Sequence, residues 1–289
     1  MTWLNAVIQG VLLGGLYALF AAGLSLMFGV MRIVNLAHGA LALAAAYLLV
    51  GLSQVVDVNP LWLLPVVVAV MAVAGFVIEL VLLNRTISVD PLPSLLVTFG
   101  LAVVLQNVLL EVFAADSRSL SPGPIETASL QLSSSISVAW FGVLTFVLAL
   151  LTLGSIHVVL ARTAIGRSLR ATADDQSAAV LSGIRPERVY AVAGGVAFAT
   201  VALAGGLMAL STTFAPSSAD VRLIFAFEAV IIGGLGSLWG TLAGGIVLGV
   251  MQTVGAQIDP SWSILAGHLA FLAVLLLRPQ GLFATVRTP

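Results

Sequence analysis

The side chains able to do chemistry fall in three apolar stretches. Asn35 and His38 stand three apart, which puts them on one face of a helix, and Gly39 and Ala42 leave space beside them. Thr98, Ala102 and Gln106 make a second face, with Asn107 and Glu111 on the neighbouring strip. Glu228 sits between Phe227 and Ala229, just ahead of Gly233-Gly234-Leu235-Gly236-Ser237. An unpaired polar group in such surroundings is costly and faces a bundle interior or a wet cavity. His38 suits either a neutral imidazole bonded to a carbonyl or Asn, or a proton-relay or substrate role. Glu228 suits either a structural pairing or a place on a water-filled path. Glu79 and Arg85, near the end of the third apolar run, read as snorkelling or paired at the interface. His157 and His268 stand singly in structural roles, and Asp57, Asp116 and Asp259 read as solvated loop residues.

Several chemistries drop out. There is no Cys, and all 11 basic residues are Arg, so Walker A loops, Schiff-base lysines, thiolate metal sites and disulfides are excluded. The sequence has no H-E-x-x-H, no G-x-S-x-G and no Asp pair inside an apolar run, which leaves an intramembrane enzyme without a nucleophile or acid pair. No catalytic residue, metal ligand or cofactor site is nominated in this chain. The net charge of -1 leaves no footprint for nucleic acid.

The elements that position these residues follow from composition. Of 289 residues, 60% are hydrophobic and 8% charged, too few polar groups to face water. Apolar runs cover about 5 to 31, 33 to 52, 61 to 83, 94 to 114, 138 to 160, 190 to 211, 223 to 256 and 262 to 277. The expected fold is an all-α polytopic transmembrane bundle of about eight segments in a single domain, residues 1–289. The seventh segment is broken at its glycines into two pieces meeting inside the bilayer. The loop 161–189 holds Arg162, Arg167, Arg170, Arg185 and Arg188, which places it in the cytoplasm and the N-terminus outside. If the seventh segment enters and returns on one side, Arg278 and Arg287 also fall inside, and only Arg118 and Arg222 remain outside. The first run lacks a basic leader and reads as retained. The outer segment 115 to 137 reads as a linker or a partner-receiving loop.

Gly10 with Gly14, Gly236 with Gly240 and Gly244, and Gly245 with Gly249 repeat every fourth residue, the spacing of a tight helix crossing or of a gate. Within the cytoplasmic loop, Ala171, Ala178, Ala179, Val180 and Leu181 offer an apolar side opposed to Asp174 and Asp175, and Gly183 with Pro186 gives a stop. Such a helix has no domain of its own to bury it and invites a partner.

Four stretches then resemble the membrane permease subunits of branched-chain amino acid ABC importers, the LivH-like family. They are Gly29 to Gly39, Thr98 to Asn107, Gly166 to Ile184, and Phe227 to Gly240. The resemblance implies a permease half in the plasma membrane that pairs with a second, related permease. It also implies two cytoplasmic ATP-binding subunits and an extracytoplasmic substrate-binding protein. By the same likeness, Gly166, Arg170, Ala173, Asp174, Asp175 and Gly183 belong to the ATPase-coupling segment. Asn35, His38, Gly39, Thr98, Gln106, Asn107, Glu228, Gly233, Gly234 and Gly236 lie near the substrate path. Urea and short-chain amide permeases are similar to this family and give an alternative cargo. An ion-coupled secondary transporter, using Glu228 and the broken segment, is the rival mechanism.

Overall fold

The computed structural model describes residues 3–87, 91–133 and 136–283. Arg287, expected on the cytoplasmic side, lies outside the described residues. The chain forms α1 (Trp3–Met31), α2 (His38–Val55), α3 (Pro60–Val81), α4 (Leu92–Phe113) and α5 (Trp140–Arg162). These are followed by α6 (Ala164–Asp174), α7 (Gln176–Leu181), α8 (Pro186–Ala209), α9 (Ala219–Gly233), α10 (Leu238–Ile258) and α11 (Trp262–Leu277). A short antiparallel hairpin, β1 (Ser129–Ser133) with β2 (Ile136–Ala139), lies in the outer segment. Seven of the helices are long and apolar enough to cross a membrane.

In lipid the hydrophobic effect does not choose between a central and a peripheral helix, so small residues decide which helices approach closely. The centre is built on α1 and α8, which are buried on nearly all sides. Gly10 and Gly14 of α1 meet α10, where a Cβ on either would come within 2.5 Å of the Cα of Val250 or Ile246. Gly245 and Gly249 answer from α10 by abutting the α1 backbone, while Gly240 and Gly244 face Gly233 and Ala229 of α9. The glycine repeat in α10 is thus two seams on two faces. On α8, Gly194 and Gly195 admit α3, and Gly205 admits Ala42 of α2.

The seventh apolar run resolves into α9 and α10, which double back antiparallel through Gly234 to Ser237, with Gly234 at φ 103° and Gly236 at φ 81°. Ser237 caps α10 by accepting from the Gly240 N–H at 3.1 Å. After α11, the N–H groups of Leu282 and Phe283 donate to the carbonyls of Ile232 and Gly233 at 2.8 and 3.0 Å. The ends of α9 and α11 therefore share one end of the bundle, the end that also holds the start of α10. Met27, Met31, Leu83, Leu153, Leu169 and Val189 form a cluster that joins this end to the loop helices. Arg32, Arg85 and Arg278 lie at this same end, which the arginine bias makes cytoplasmic.

The outer segment is pinned down rather than free. Gln9 donates to the Ser137 carbonyl at 2.7 Å, and Asn59 donates to that of Pro122 at 2.9 Å. Arg118 and Phe214 exchange both backbone hydrogen bonds, at 2.8 and 2.9 Å. Between α10 and α11, the Ser261 hydroxyl and N–H donate to Asp259, which holds that carboxyl below its ordinary range.

Candidate functional site

Asn35 and His38 do not share a helix. The chain leaves α1 at Arg32, whose φ of 56° reverses its direction, and runs back along α1 as irregular backbone that ends in a turn at Leu36 and Ala37 before α2 starts at His38. Non-helical backbone at membrane depth needs internal hydrogen-bond partners. Here Asn35, fully buried, supplies them: its Oδ1 accepts from the Ala37 N–H at 2.9 Å, and its Nδ2 points to Met27 Sδ at 3.7 Å. Thr98 of α4 donates to Ser94 at 2.9 Å and reaches the Val34 carbonyl at 3.5 Å. His38 Nε2 donates to the Phe20 carbonyl at 2.6 Å, which fixes the tautomer and leaves Nδ1 buried without a partner. Gly39 abuts the Ala219 carbonyl at the start of α9, so a side chain there would drive the first turns of α2 and α9 apart.

This contact sets the depth of α9. Gly205, near the outer end of α8, meets Ala42, whereas Ala219 meets Gly39, one turn deeper along α2. The chain from Ser211 to Ser218 therefore turns back into the bundle before α9 begins. Gln106 donates to the Pro216 carbonyl of this return at 3.3 Å, while Asn107 bonds only its own helix, at Val103, and is exposed along with Glu111. Arg222, expected outside, is corrected by this descent: it sits in the first turn of α9, inside the bundle. One turn further on, Phe225 lies 5.2 Å, ring to ring, from Tyr17, the middle residue of α1.

Glu228 has a partner that the sequence did not reveal. Its Oε1 meets His268 Nδ1 of α11, and Phe225 lies 6.3 Å from the His268 ring. Beside them Tyr17 donates to Gln252 Oε1 of α10 at 2.5 Å. Four helices thus contribute to one polar cluster at mid-bundle. Its two hydrogen-bonded pairs join residues 235 and 40 positions apart, so spacing gave no sign of it. Among the described residues there is no group of three or more His, Cys, Asp or Glu able to hold a metal ion.

Glu79 is not at an interface. Met71, Gly75 and Glu79 form the stripe of α3 that faces α8, and Glu79 is fully buried against Gly194 with both carboxylate oxygens unpartnered. Arg85 is exposed and makes no ion pair with it.

At the cytoplasmic end the loop is two helices, not one. Thr163 caps α6 by accepting from the Gly166 N–H at 3.0 Å. Gly166 is pressed against the Val159 and Leu160 carbonyls, and Arg170 donates to the latter. The break falls at Asp175, whose carboxylate competes with the helix by accepting from the Ala178 N–H at 3.0 Å and so begins α7. Gly183, at φ 82°, closes α7, and the Ile184 N–H donates to the Ala179 carbonyl at 3.0 Å. Leu169 and Ala179 face the bundle, Ala173 is half-buried, and Asp174, Asp175 and Ser177 are exposed. Leu181, 89% exposed, and Val180, 52%, leave an apolar tip projecting from the basic end.

Comparison with known proteins places this arrangement. A family model described as the branched-chain amino acid transport system permease component matches residues 6–277. The high-affinity branched-chain amino acid transport system permease protein BraD of Pseudomonas aeruginosa is 28% identical over 300 residues, 97% of this chain and 95% of that one. The corresponding LivH protein of Escherichia coli is 26% identical over 298 residues, with the same shares covered. A probable LivH permease of Methanocaldococcus jannaschii is 30% identical over 258 residues, 86% of this chain and 80% of that one. All but the first three residues of α1, together with the remaining helices, the broken segment and the capped cytoplasmic pair, fall within the matched range, and the chain belongs to the permease-component family of branched-chain amino acid transport systems, as a multi-pass inner-membrane protein rather than an enzyme.

Proposed function

We propose that this chain is one half of the membrane pathway of an ATP-driven importer for branched-chain amino acids. The half is completed by a second, related permease, driven by two cytoplasmic ATP-binding subunits and supplied by an extracytoplasmic binding protein. The observation that carries the reading is the projecting α6–α7 pair. It is capped at both ends, apolar at its tip and acidic at its middle, and among the described residues nothing covers that tip. An ATPase groove gripping Asp174, Asp175, Val180 and Leu181 gives that tip a partner.

Force applied there reaches the membrane through Leu169, which packs with Met27, Met31 and Val189 of α1 and α8. Because α1 and α8 are seated on glycine contacts with α10 and α3, they move as rigid elements and change their relative tilt. Asn35, His38, Thr98 and Glu228 are buried in this closed arrangement, while Gln106, Asn107 and Glu111 stand at its open side. Gly233, Gly234 and Gly236 supply the break where α9 and α10 can shift against each other. Selectivity resides in the external protein, so the path binds its cargo weakly. The names of the relatives favour branched-chain amino acids over urea or short amides. The test is uptake by the complete assembly in proteoliposomes. Leucine accumulation that requires ATP and both accessory proteins supports the reading. Uptake by this chain alone, following a proton gradient, identifies a secondary transporter instead.

A further inference from the structure

We infer that Arg222 is the counter-charge for the carboxylate of the solute as it crosses mid-membrane, an assignment that rests on the amino acid importer reading. A guanidinium at membrane depth is strongly disfavoured unless it meets an anion. Arg222 has none: the described residues hold one ion pair, Glu228 with His268, and Arg222 Nε is buried without an acceptor.

Its surroundings are arranged for a ligand rather than for a structural pair. The Tyr17 hydroxyl lies within electrostatic reach of Arg222, yet it donates its hydrogen bond to Gln252 and does not turn to the guanidinium. That bond occupies Gln252 Oε1 and leaves Gln252 Nε2, on a residue only 4% exposed, as a second buried donor without a partner. Gln252 Nε2 is turned to Gly267 of α11, so the unsatisfied donor on the Arg222 side of Tyr17 is the guanidinium itself. The acidic group of this region, Glu228, is engaged through Oε1 by His268, while its Oε2 is buried without a partner and the carboxyl also lies within electrostatic reach of Tyr17. Arg222 is half-buried and Ile224 beside it is exposed, so the site borders the open side of the bundle, not a sealed interior. The contacts of Gly39 with Ala219 and of Tyr17 with Phe225 seat the first turns of α9 beside the middle of α1, and a zwitterion travelling between two permease halves brings the missing carboxylate past this point.

The test uses the complete importer assembly, in which this chain contributes no Cys of its own. Wild-type uptake of leucine is measured first; its failure defeats the importer reading and is seen before any variant is made. Arg222→Cys is then expected to lower uptake about ten- to hundredfold, the range for one charge-assisted hydrogen bond. Assembly and thermal stability should remain, and Arg222→Lys should keep most of the activity. A thiol reagent bearing an ammonium group should restore uptake several-fold, and a sulfonate reagent of similar size should not. Uptake by Arg222→Cys within about twofold of wild type, or equal rescue by both reagents, overturns the assignment. An assembly that dissociates on substitution, and is held together again by Lys, places the charge in a contact between chains and overturns it too.

Discussion

Glu228 of α9 and His268 of α11 meet side chain to side chain across 40 positions of sequence, and theirs is the one ion pair among the described residues. The pair ties α11, a peripheral helix with most of its leucines exposed, to the short helix beyond the re-entrant segment.

Removing either partner should therefore loosen α11. Glu228→Ala and His268→Ala are each expected to lower the unfolding midpoint in detergent. A double-mutant cycle should give a coupling of about 0.6 to 2 kcal/mol, the range for polar contacts between membrane helices. Additive effects of the two substitutions would show that the side chains stabilise the bundle independently.

The glycine seams predict a sharp positional contrast. Gly245→Leu forces a side chain into the α1 backbone and is expected to cost about 1–3 kcal/mol or to prevent folding. Gly51→Leu, on α2, meets nothing within 4 Å and should leave the folded yield unchanged. Thermal unfolding of the two purified variants checks this, and equal losses would contradict the packing described for α1 and α10.

Asp174 and Asp175 separate a structural role from a coupling role. Asp175→Ala removes the cap of α7 and should raise hydrogen exchange through residues 176–181, consistent with about 1 kcal/mol for a lost cap, while Asp175→Asn preserves protection. Replacing both Asp174 and Asp175 by Lys should leave ATP hydrolysis running while leucine uptake falls to background. Normal ATP-dependent uptake by that variant removes these residues from the coupling contact.

What could be read from the sequence divides along physical lines. Hydropathy located the apolar runs, and Gly233 to Ser237 announced the break, although the two pieces meet at the cytoplasmic end of the bundle, beside Gly29 and Leu282, and not inside the bilayer as expected. The centrality of α1 and α8 was not legible, since Leu and Val are equally at home against lipid and against another helix. Arg222 was placed outside because the chain from Ser211 to Ser218 re-enters the bundle without an apolar run to mark it. Spacing arguments presuppose a continuous helix, and the start of α2 at His38 separates that residue from Asn35. The His268 partner of Glu228 had no local signal at all.

The claim on which everything else depends is that the α6–α7 tip faces the cytoplasm and is covered there by another subunit. With no native Cys in this chain, Leu181→Cys and Asp259→Cys give single labelling sites at opposite ends of the bundle. A membrane-impermeant maleimide should label Leu181→Cys only in inside-out vesicles, with labelling suppressed when the ATP-binding subunits are present, and Asp259→Cys only in right-side-out vesicles. Labelling of Leu181→Cys from the exterior, or labelling indifferent to the ATP-binding subunits, would contradict it.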